Sequence, residues 1–331
     1  MSLKKIVVIG GGTGTFTVLS GLKHIPNLDI SVIVSMMDSG GSNRVIRDEF
    51  GLLPTSDIRQ CILALASNNS DKTIRELFNY RYTQGTGISG MTFGNLFMAA
   101  LTDILKSQNK AIEETSRILD VKGKIIPVTF DKSELVATYD NGIQVLGEHY
   151  IDEPSKKTIY HKITNLEVFP KAKINPDATK VIAEADLIIL GPGDLYTSIL
   201  CNVVVDGMAK KIANSKAKKL YIANIMTRFG QTDGFGLQEH IEEIEKYLGK
   251  NTLDYCLFNK MDKVSPKAIK WYKDNDADIV ADNMQSTTKL KIIKKNLAST
   301  KYYKRNPADK LVRSLIRHDS SKLAKAIVQL L

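Results

Sequence analysis

Hydrophobic and polar positions follow a repeating pattern of short apolar runs and amphipathic stretches along the chain. Residues 4–9 form a mostly apolar, β-branched run, which predicts a buried parallel strand. Glycines follow this run, and Phe16, Leu19 and Leu22 then recur at helical spacing. A second apolar run at 29–35 predicts the next strand. The chain therefore opens with a strand, a glycine-rich turn, a helix and another strand.

The same pattern continues to the end of the sequence. Helices are expected near 43–50, 56–67, 71–80, 96–105, 111–119 and 319–331, and strands at 185–190, 219–223, 253–258 and 278–281. Repeated strand–helix–strand units predict one Rossmann-like, doubly wound α/β domain over 1–331, with a mostly parallel sheet between two helical layers. Asp140-Asn141-Gly142 separates two strand-like runs and predicts a hairpin, because Asn-Gly supplies the positive φ angles of a tight turn. A small β-rich insertion is therefore expected over 124–176.

Polar clusters fall where the predicted strands end. They occupy residues 10–15, 38–43, 191–198 and 224–233. In open α/β sheets, ligands bind beyond the carboxyl ends of the strands. The sequence thus predicts one composite binding site made from these loops.

The turn after the first strand has the features of a phosphate-binding loop. Glycine allows a ligand close to the backbone, and the start of the next helix offers unpaired N–H groups. Gly10 and Gly12 fit the first two places of the dinucleotide fingerprint, but the third falls on Thr15, and no Walker A lysine follows. Asp38 stands where a dinucleotide fold places its ribose-binding acid, so a nucleotide-linked oxidoreductase remains an alternative.

Size and cysteine usage set the broad class of the protein. The chain has 331 residues, 43% of them hydrophobic, which is enough for one large core or two smaller ones. Without a membrane-length apolar run or a signal-peptide pattern, a cytoplasmic protein is expected, and we expect it to form a homo-oligomer.

Cys61, Cys201 and Cys256 lie in separate apolar segments and predict buried free thiols rather than zinc ligands or disulfides.

The net charge of +10 raises the question of a nucleic-acid partner. Part of the excess is concentrated near the end of the chain, at Lys289, Lys291, Lys294, Lys295, Lys301, Lys304 and Arg305. Such a run is able to follow a phosphate backbone, but no recognisable nucleic-acid-binding module surrounds it. Nucleic-acid binding is therefore not expected.

Candidate catalytic groups are few. Neither a Ser-His-Asp arrangement nor a His-Glu-x-x-His motif is present, and His240 and His318 are the histidines that remain candidates for catalysis. Asp57 and Arg59 fit either a helix start that carries an ion pair or a part of the binding site.

Together, these motifs resemble those of the gluconeogenesis-factor family, which is grouped with 2-phospho-L-lactate transferase in the CofD-like superfamily. The resemblance runs in order along nearly the whole chain. Its motifs are Gly10-Gly11-Gly12-Thr13-Gly14, Asp38-Ser39-Gly40-Gly41-Ser42 with Arg47-Asp48-Glu49, Pro54-Thr55-Ser56-Asp57-Ile58-Arg59, Gly94-Asn95-Leu96, Gly191–Ser198, Asn224–Thr227 with Gly230–Gly234, and Arg317-His318-Asp319. The insertion with its Asp-Asn-Gly turn and the Arg-His-Asp ending are similar to the gluconeogenesis-factor branch.

The resemblance implies a Rossmann-like fold that binds UDP-sugars, notably UDP-N-acetylglucosamine, with a role in cell shape and in growth on gluconeogenic carbon sources. Gly11–Gly14 would hold the diphosphate, Asn224 and Thr227 would meet the nucleoside or sugar, Arg317 would add positive charge, and Tyr272 would stack. The full set of expected ligand-binding residues is Gly11, Gly12, Thr13, Gly14, Asp38, Ser39, Gly40, Gly41, Ser42, Asn95, Gly191, Gly193, Tyr196, Thr197, Ser198, Asn224, Thr227, Tyr272 and Arg317.

The transferase branch is the enzyme alternative. It moves a phospholactyl group from a nucleotide diphosphate onto a deazaflavin alcohol with magnesium, and Asp38 or Asp57 would then be the catalytic candidates, with magnesium near Asp38. Two positions depart from the family pattern, which has histidine at Met91 and serine at Asp194. A carboxylate at Asp194 would repel a bare diphosphate unless a magnesium ion bridged the two.

Overall fold

The computed structural model describes residues 3–67, 72–260, 266–285, 289–300 and 315–331. Its strands are β1 Lys4–Ile9, β2 Leu28–Val34, β3 Lys124–Pro127, β4 Glu134–Tyr139, β5 Gln144–Leu146, β6 Ile163–Phe169, β7 Leu187–Leu190, β8 Lys218–Ile222, β9 Tyr255–Asn259 and β10 Lys291–Lys295. Its α-helices are α1 Gly12–Leu22, α2 Gly41–Phe50, α3 Ser56–Leu65, α4 Lys72–Asn79, α5 Phe93–Leu105, α6 Gln108–Ile118, α7 Glu148–Asp152, α8 Pro176–Glu184, α9 Cys201–Val203, α10 Met208–Asn214, α11 Leu237–Leu248, α12 Pro266–Lys273 and α13 Ser320–Val328. A π-helix, Leu195–Leu200, precedes α9.

The strands form two sheets. The larger sheet has seven strands in the order β10-β9-β8-β7-β1-β2-β3, and its neighbouring strands pair in parallel. From β1 the chain adds strands on one side through β2 and β3, and later adds β7 to β10 on the other side. The strand order therefore reverses between β1 and β7, which makes the carboxyl ends of these strands the switch point of the sheet. The predicted doubly wound α/β fold is confirmed.

Both faces of the large sheet are buried. Ile6 and Val8 of β1 belong to a core shared with α1, α3 and α13, while Val7 and Ile9 belong to a core shared with the smaller sheet. Strands covered on both faces need apolar residues at successive positions rather than at alternating ones. This packing explains why most of the central strands were visible in the sequence as continuous apolar runs.

The smaller sheet is antiparallel, with the order β5-β4-β6. The predicted hairpin is present: β4 pairs with β5, and Gly142 in the turn has a φ of 81°. Lys124–Pro127, the first part of the predicted β-rich segment, instead pairs with β2 at the edge of the large sheet. The β-rich character of the segment therefore comes from β4 to β6.

The outermost strand on the other side differs from the expectation. Residues 278–281 were expected to form a strand, but Ile279 makes only an isolated bridge with Met226. The edge strand is β10, which lies within the lysine-rich run. Charged residues commonly protect sheet edges, and Lys294 pairs with Asp282 while the ammonium of Lys289 donates to the Asn251 carbonyl over 3.0 Å. Lys301, Lys304 and Arg305 lie outside the described residues.

The structure also describes the state of the cysteines and the length of the helices. Cys61, Cys201 and Cys256 are buried and carry free thiols, as predicted. Within the ranges that the structure describes, no helix has the length and apolar character needed to cross a bilayer.

Candidate functional site

The glycine turn after β1 meets the loop after β7 at the switch point. Gly10 has a φ of 155°, and α1 begins at Gly12. A Cβ on Gly14 would lie 2.0 Å from the Pro192 carbonyl oxygen, so the first turn of α1 packs directly against the Gly191-Pro192-Gly193 loop. Two of the predicted loops are therefore in contact, and only a glycine fits where they touch.

Three other glycines of these loops are close to polar side chains. A Cβ on Gly11 would lie 2.2 Å from an Asp57 carboxylate oxygen, and one on Gly12 would lie 3.7 Å from the Ser198 hydroxyl. A Cβ on Gly193 would be 3.6 Å from the same hydroxyl. Ser198 thus stands between the two loops, and Asp57 lies beside the glycine turn.

A cavity of about 500 Å³ opens beyond this junction. Elements distant in sequence supply its walls: the start of α1, the loops after β7 and β8, the segment after α7, the end of α12 and residues 316–318. The predicted residues that line it are Thr13, Gly14, Gly193, Asn224, Thr227, Tyr272 and Arg317. A cavity of this size, at the switch point of an α/β sheet, has the position expected for a ligand site.

Hydrogen bonds show how some of these residues are used within the protein. The Asn224 amide donates to the Gly193 carbonyl over 2.9 Å and so fixes the loop after β7. The Thr227 hydroxyl accepts from the Asp278 N–H over 2.8 Å. The Tyr272 hydroxyl accepts from the Leu315 N–H over 3.0 Å and from the Ile316 N–H. Tyr272 therefore holds residues 315 and 316 in place. The residue that follows them, Arg317, lines the cavity.

A second group of predicted residues does not line the cavity. Asp38 accepts hydrogen bonds from the Gly40 N–H over 2.8 Å and from the Asn43 side chain. Ser56 connects Asn43 to Asn95, which is fully buried and also accepts from Arg59 over 3.2 Å. The other members of this group are Ser39, Gly40, Gly41 and Ser42. Asp38 and Asn95 are thus joined by one chain of hydrogen bonds through Asn43 and Ser56.

The π-helix contributes mainly to the core. Tyr196 and Thr197 are buried, and the Thr197 carbonyl accepts from the Cys201 thiol over 3.0 Å. Met91, where the family pattern has histidine, packs with Ile46 and Ala99 in a separate small core.

Carboxylates surround the junction of the loops. Burial and the nearby Asp152 carboxylate raise the pKa of Asp194 to about 6, while Arg228 opposes this shift. Burial raises the pKa of Glu148 well above its usual value, and the charges of Asp38 and Asp152 add to the shift. Arg228 pairs with Asp152 over 3.0 Å and partly balances these acids.

The carboxylates do not form a protein-only metal site. Among the described residues, no group of three or more His, Cys, Asp or Glu side chains is arranged to hold a metal ion. The Asp38 oxygens already accept hydrogen bonds, and Asp38 does not line the cavity. A magnesium ion held by one or two carboxylates together with the phosphates of a ligand stays a prediction.

The two candidate histidines lie in different places. His240 is buried in α11 and donates through Nδ1 to the Gly236 carbonyl over 2.8 Å, away from the cavity. His318 lines the cavity, and burial lowers its pKa to about 4, so its imidazole is neutral at physiological pH. Neither histidine contacts a nucleophile in the described bonds.

Sequence reasoning missed several residues of the site. Glu148 and Asp152 belong to α7, within the insertion, and no local pattern indicates that the insertion folds back to the switch point. Trp271 precedes Tyr272 on α12 and also lines the cavity. Arg228 could have been identified, because it directly follows the predicted Asn224–Thr227 motif.

Comparisons with known proteins agree with this architecture. The family model described as 2-phospho-L-lactate transferase CofD matches residues 6–298. Proteins named gluconeogenesis factor from Listeria innocua and Bacillus subtilis are 36% and 33% identical, over 99% of this chain and 95% and 98% of theirs. A Thermotoga maritima relative is 37% identical over 98% of both chains. A crystal structure of a UPF0052-family protein from Bacillus halodurans has a TM-score of 0.86 at 30% identity, over 99% of both chains.

Proposed function

The chain belongs to the gluconeogenesis-factor family, and we propose that it is a regulatory protein that binds a UDP-sugar. UDP-N-acetylglucosamine is the first ligand to test. In this proposal the protein acts in the cytoplasm, and ligand binding reports the state of carbon metabolism and influences cell shape.

One observation carries the proposal: the first turn of α1 and the loop after β7 meet at the switch point and open onto one cavity. Thr13 and Gly14 bring backbone N–H groups of a helix start to its wall, and Arg317 adds a guanidinium from the far end of the chain. Helix starts and arginine both favour phosphate oxygens. A diphosphate lying between Gly14 and Arg317 would leave its nucleoside and sugar to the rest of the cavity.

The proposal is tested by titrating the protein with UDP-N-acetylglucosamine, UDP-glucose, GDP, GTP and NAD, with and without magnesium. We expect binding of the UDP-sugars, and a thermal shift of about 2–4 °C at a concentration of about 100 times the dissociation constant. Thr13→Trp fills the phosphate end of the cavity and should abolish this binding. Undiminished affinity in that variant, or a response to NAD alone, would contradict the proposal.

The transferase is the second candidate, because the matching family model carries that description and carboxylates surround the loops. It predicts binding of guanine nucleotides only with magnesium. Formation of product from a nucleotide-activated phospholactate and a deazaflavin alcohol would establish it in place of the regulatory function.

A further inference from the structure

A second cavity, of about 410 Å³, lies beside the first and shares Ile159, Phe229 and Ala277 with it. Its walls come from the segment before β6, the loop after β8 and the residues after α12. We propose that this second cavity is a glycosyl subsite, which receives the sugar while the nucleoside diphosphate occupies the first cavity. This inference rests on the proposed binding of a nucleotide sugar. It adds that the sugar lies in the second cavity.

Gln231 carries a buried acceptor that a ligand with hydrogen-bond donors would satisfy. Its side chain is buried, at 3% exposure, and its Nε2 donates to an Asp152 carboxylate oxygen over 3.1 Å. A carboxylate only accepts, so this bond fixes which way the amide faces. The other end of the amide, Oε1, has no hydrogen-bond partner within the described part of the chain, and Gln231 lines the second cavity. A buried acceptor of this kind is stabilised when a ligand donates to it.

The rest of the wall has the chemistry that suits a sugar. Asp233, Asp276 and Asp278 line the cavity with acceptors, and Lys162 and Lys273 line it with donors. Tyr160 is 84% exposed and lies edge-to-face with Phe229, their ring centres 6.1 Å apart. Sugar hydroxyls donate to carboxylate and amide oxygens, and the apolar face of a sugar ring packs on an aromatic ring. A sugar ring carries several hydroxyls that both donate and accept, so it uses a wall of mixed donors and acceptors more fully than a uracil ring with one N–H donor and two carbonyl acceptors.

The wall is held in position before any ligand binds. Arg228 joins the loop after β8 to α7 through its 3.0 Å ion pair with Asp152. Gly230, with a φ of 77°, approaches the segment after α7 so closely that a Cβ would lie 2.3 Å from Pro154 Cγ. The loop and the insertion are therefore packed together around Gln231. A preorganised subsite lowers the entropy lost when a sugar binds.

The test compares UDP, UDP-glucose and UDP-N-acetylglucosamine on the wild-type protein and on Tyr160→Ala by calorimetry. We expect Tyr160→Ala to weaken both UDP-sugars about 5- to 10-fold and to change UDP less than about twofold. Tyr80→Ala is the matched control, because Tyr80 is also exposed, at 51%, and lies edge-to-face with Tyr82 outside both cavities. This control should leave all affinities unchanged.

A second variant, at Gln231, tests the same subsite through its hydrogen-bonding wall instead of its aromatic ring. Gln231→Met removes the acceptor, and with it the Nε2 bond to Asp152, with little change of volume, and we expect a loss of affinity for UDP-sugars that exceeds the loss for UDP. Equal weakening of UDP and UDP-sugars in Tyr160→Ala, or no change in either variant, would overturn the glycosyl subsite while leaving the first cavity as the nucleotide site. If the wild-type protein binds neither UDP nor any UDP-sugar, the proposed function itself fails, and the subsite falls with it.

Discussion

Asp194 places an ionisable group with a raised pKa at the edge of the proposed diphosphate site. Its pKa rises from the usual 3.8 to about 6 because of burial and the charge of Asp152. Between these pH values the folded protein holds a proton that the unfolded chain has released. Stability therefore falls as the pH rises through this window, and the full penalty applies above about pH 6.

We expect Asp194→Ser to be more stable than the wild type above pH 6, by about 1–3 kcal/mol, and to lose this advantage below pH 4. Urea unfolding across pH 4–8 measures the difference. His318 has the opposite effect, because its lowered pKa makes the free energy of unfolding rise with pH. His318 is present in both proteins, so its contribution cancels in the difference between the wild type and Asp194→Ser. Asp103→Ser, on an exposed part of α5, is the control for the loss of one carboxylate.

The same carboxylate should influence ligand binding. As Asp194 ionises, it repels the diphosphate, so wild-type affinity for a UDP-sugar should fall between about pH 5.5 and 7.5 when EDTA removes metal ions. Asp194→Ser should bind with an affinity that changes little over this range. An unchanged wild-type profile would place the diphosphate away from Asp194.

Helix α1 links the site to the rest of the fold through two glycines. A Cβ on Gly14 would lie 2.0 Å from the Pro192 carbonyl oxygen, and one on Gly21 would lie 2.1 Å from the Ser320 carbonyl oxygen at the start of α13. Alanine is normally favoured over glycine within a helix by about 1 kcal/mol. Here the clash with backbone atoms outweighs that preference, so we expect both Gly14→Ala and Gly21→Ala to lower stability by about 1–3 kcal/mol.

The two variants separate stability from binding. Gly14→Ala also displaces the loop after β7 and should weaken UDP-sugar binding about tenfold or more, whereas Gly21→Ala alters only the contact with α13. Calorimetry at a temperature where both variants remain folded distinguishes them. Equal affinities for the two variants would show that the α1–Pro192 contact has no part in the site.

The elements also show how far sequence reasoning reaches. β1, β7, β8 and β9 were predicted because strands buried on both faces leave uninterrupted apolar runs. β10 was missed because an edge strand with exposed lysines has the pattern of a solvated charged segment. The apolar residues near 280 were misassigned to a strand, since Val280 is buried by loop packing instead.

The same distinction applies to the site. Thr13, Gly14 and Gly193 were predicted from local motifs at strand ends, and the parallel sheet brings these ends together. Glu148, Asp152 and the second cavity depend on where the insertion packs, which is set by contacts between residues far apart in sequence. A hairpin motif predicts its own turn but carries no information about the surface on which the hairpin packs.

At the scale of the whole molecule, the first cavity joins segments from both ends of the chain. Its walls include Thr13 near the start, Asn224 and Arg228 after β8, and Arg317 near the end. A ligand that contacts all of these segments stabilises them together, because opening any one of them then requires breaking its ligand contacts. We therefore expect UDP-N-acetylglucosamine to slow amide hydrogen exchange in residues 12–17, 224–230 and 315–318 at once.

Residues 23–30 provide the internal control for this exchange experiment. All of them except Asn27 line a separate cavity with Lys122 and Gly123, at the amino ends of β2 and β3. Their exchange should change little on ligand binding unless the entire fold is being stabilised against global unfolding. Protection at 12–17 without protection at 315–318 would remove Arg317 from the site, because the guanidinium reaches the ligand only if its segment is held in place by Tyr272.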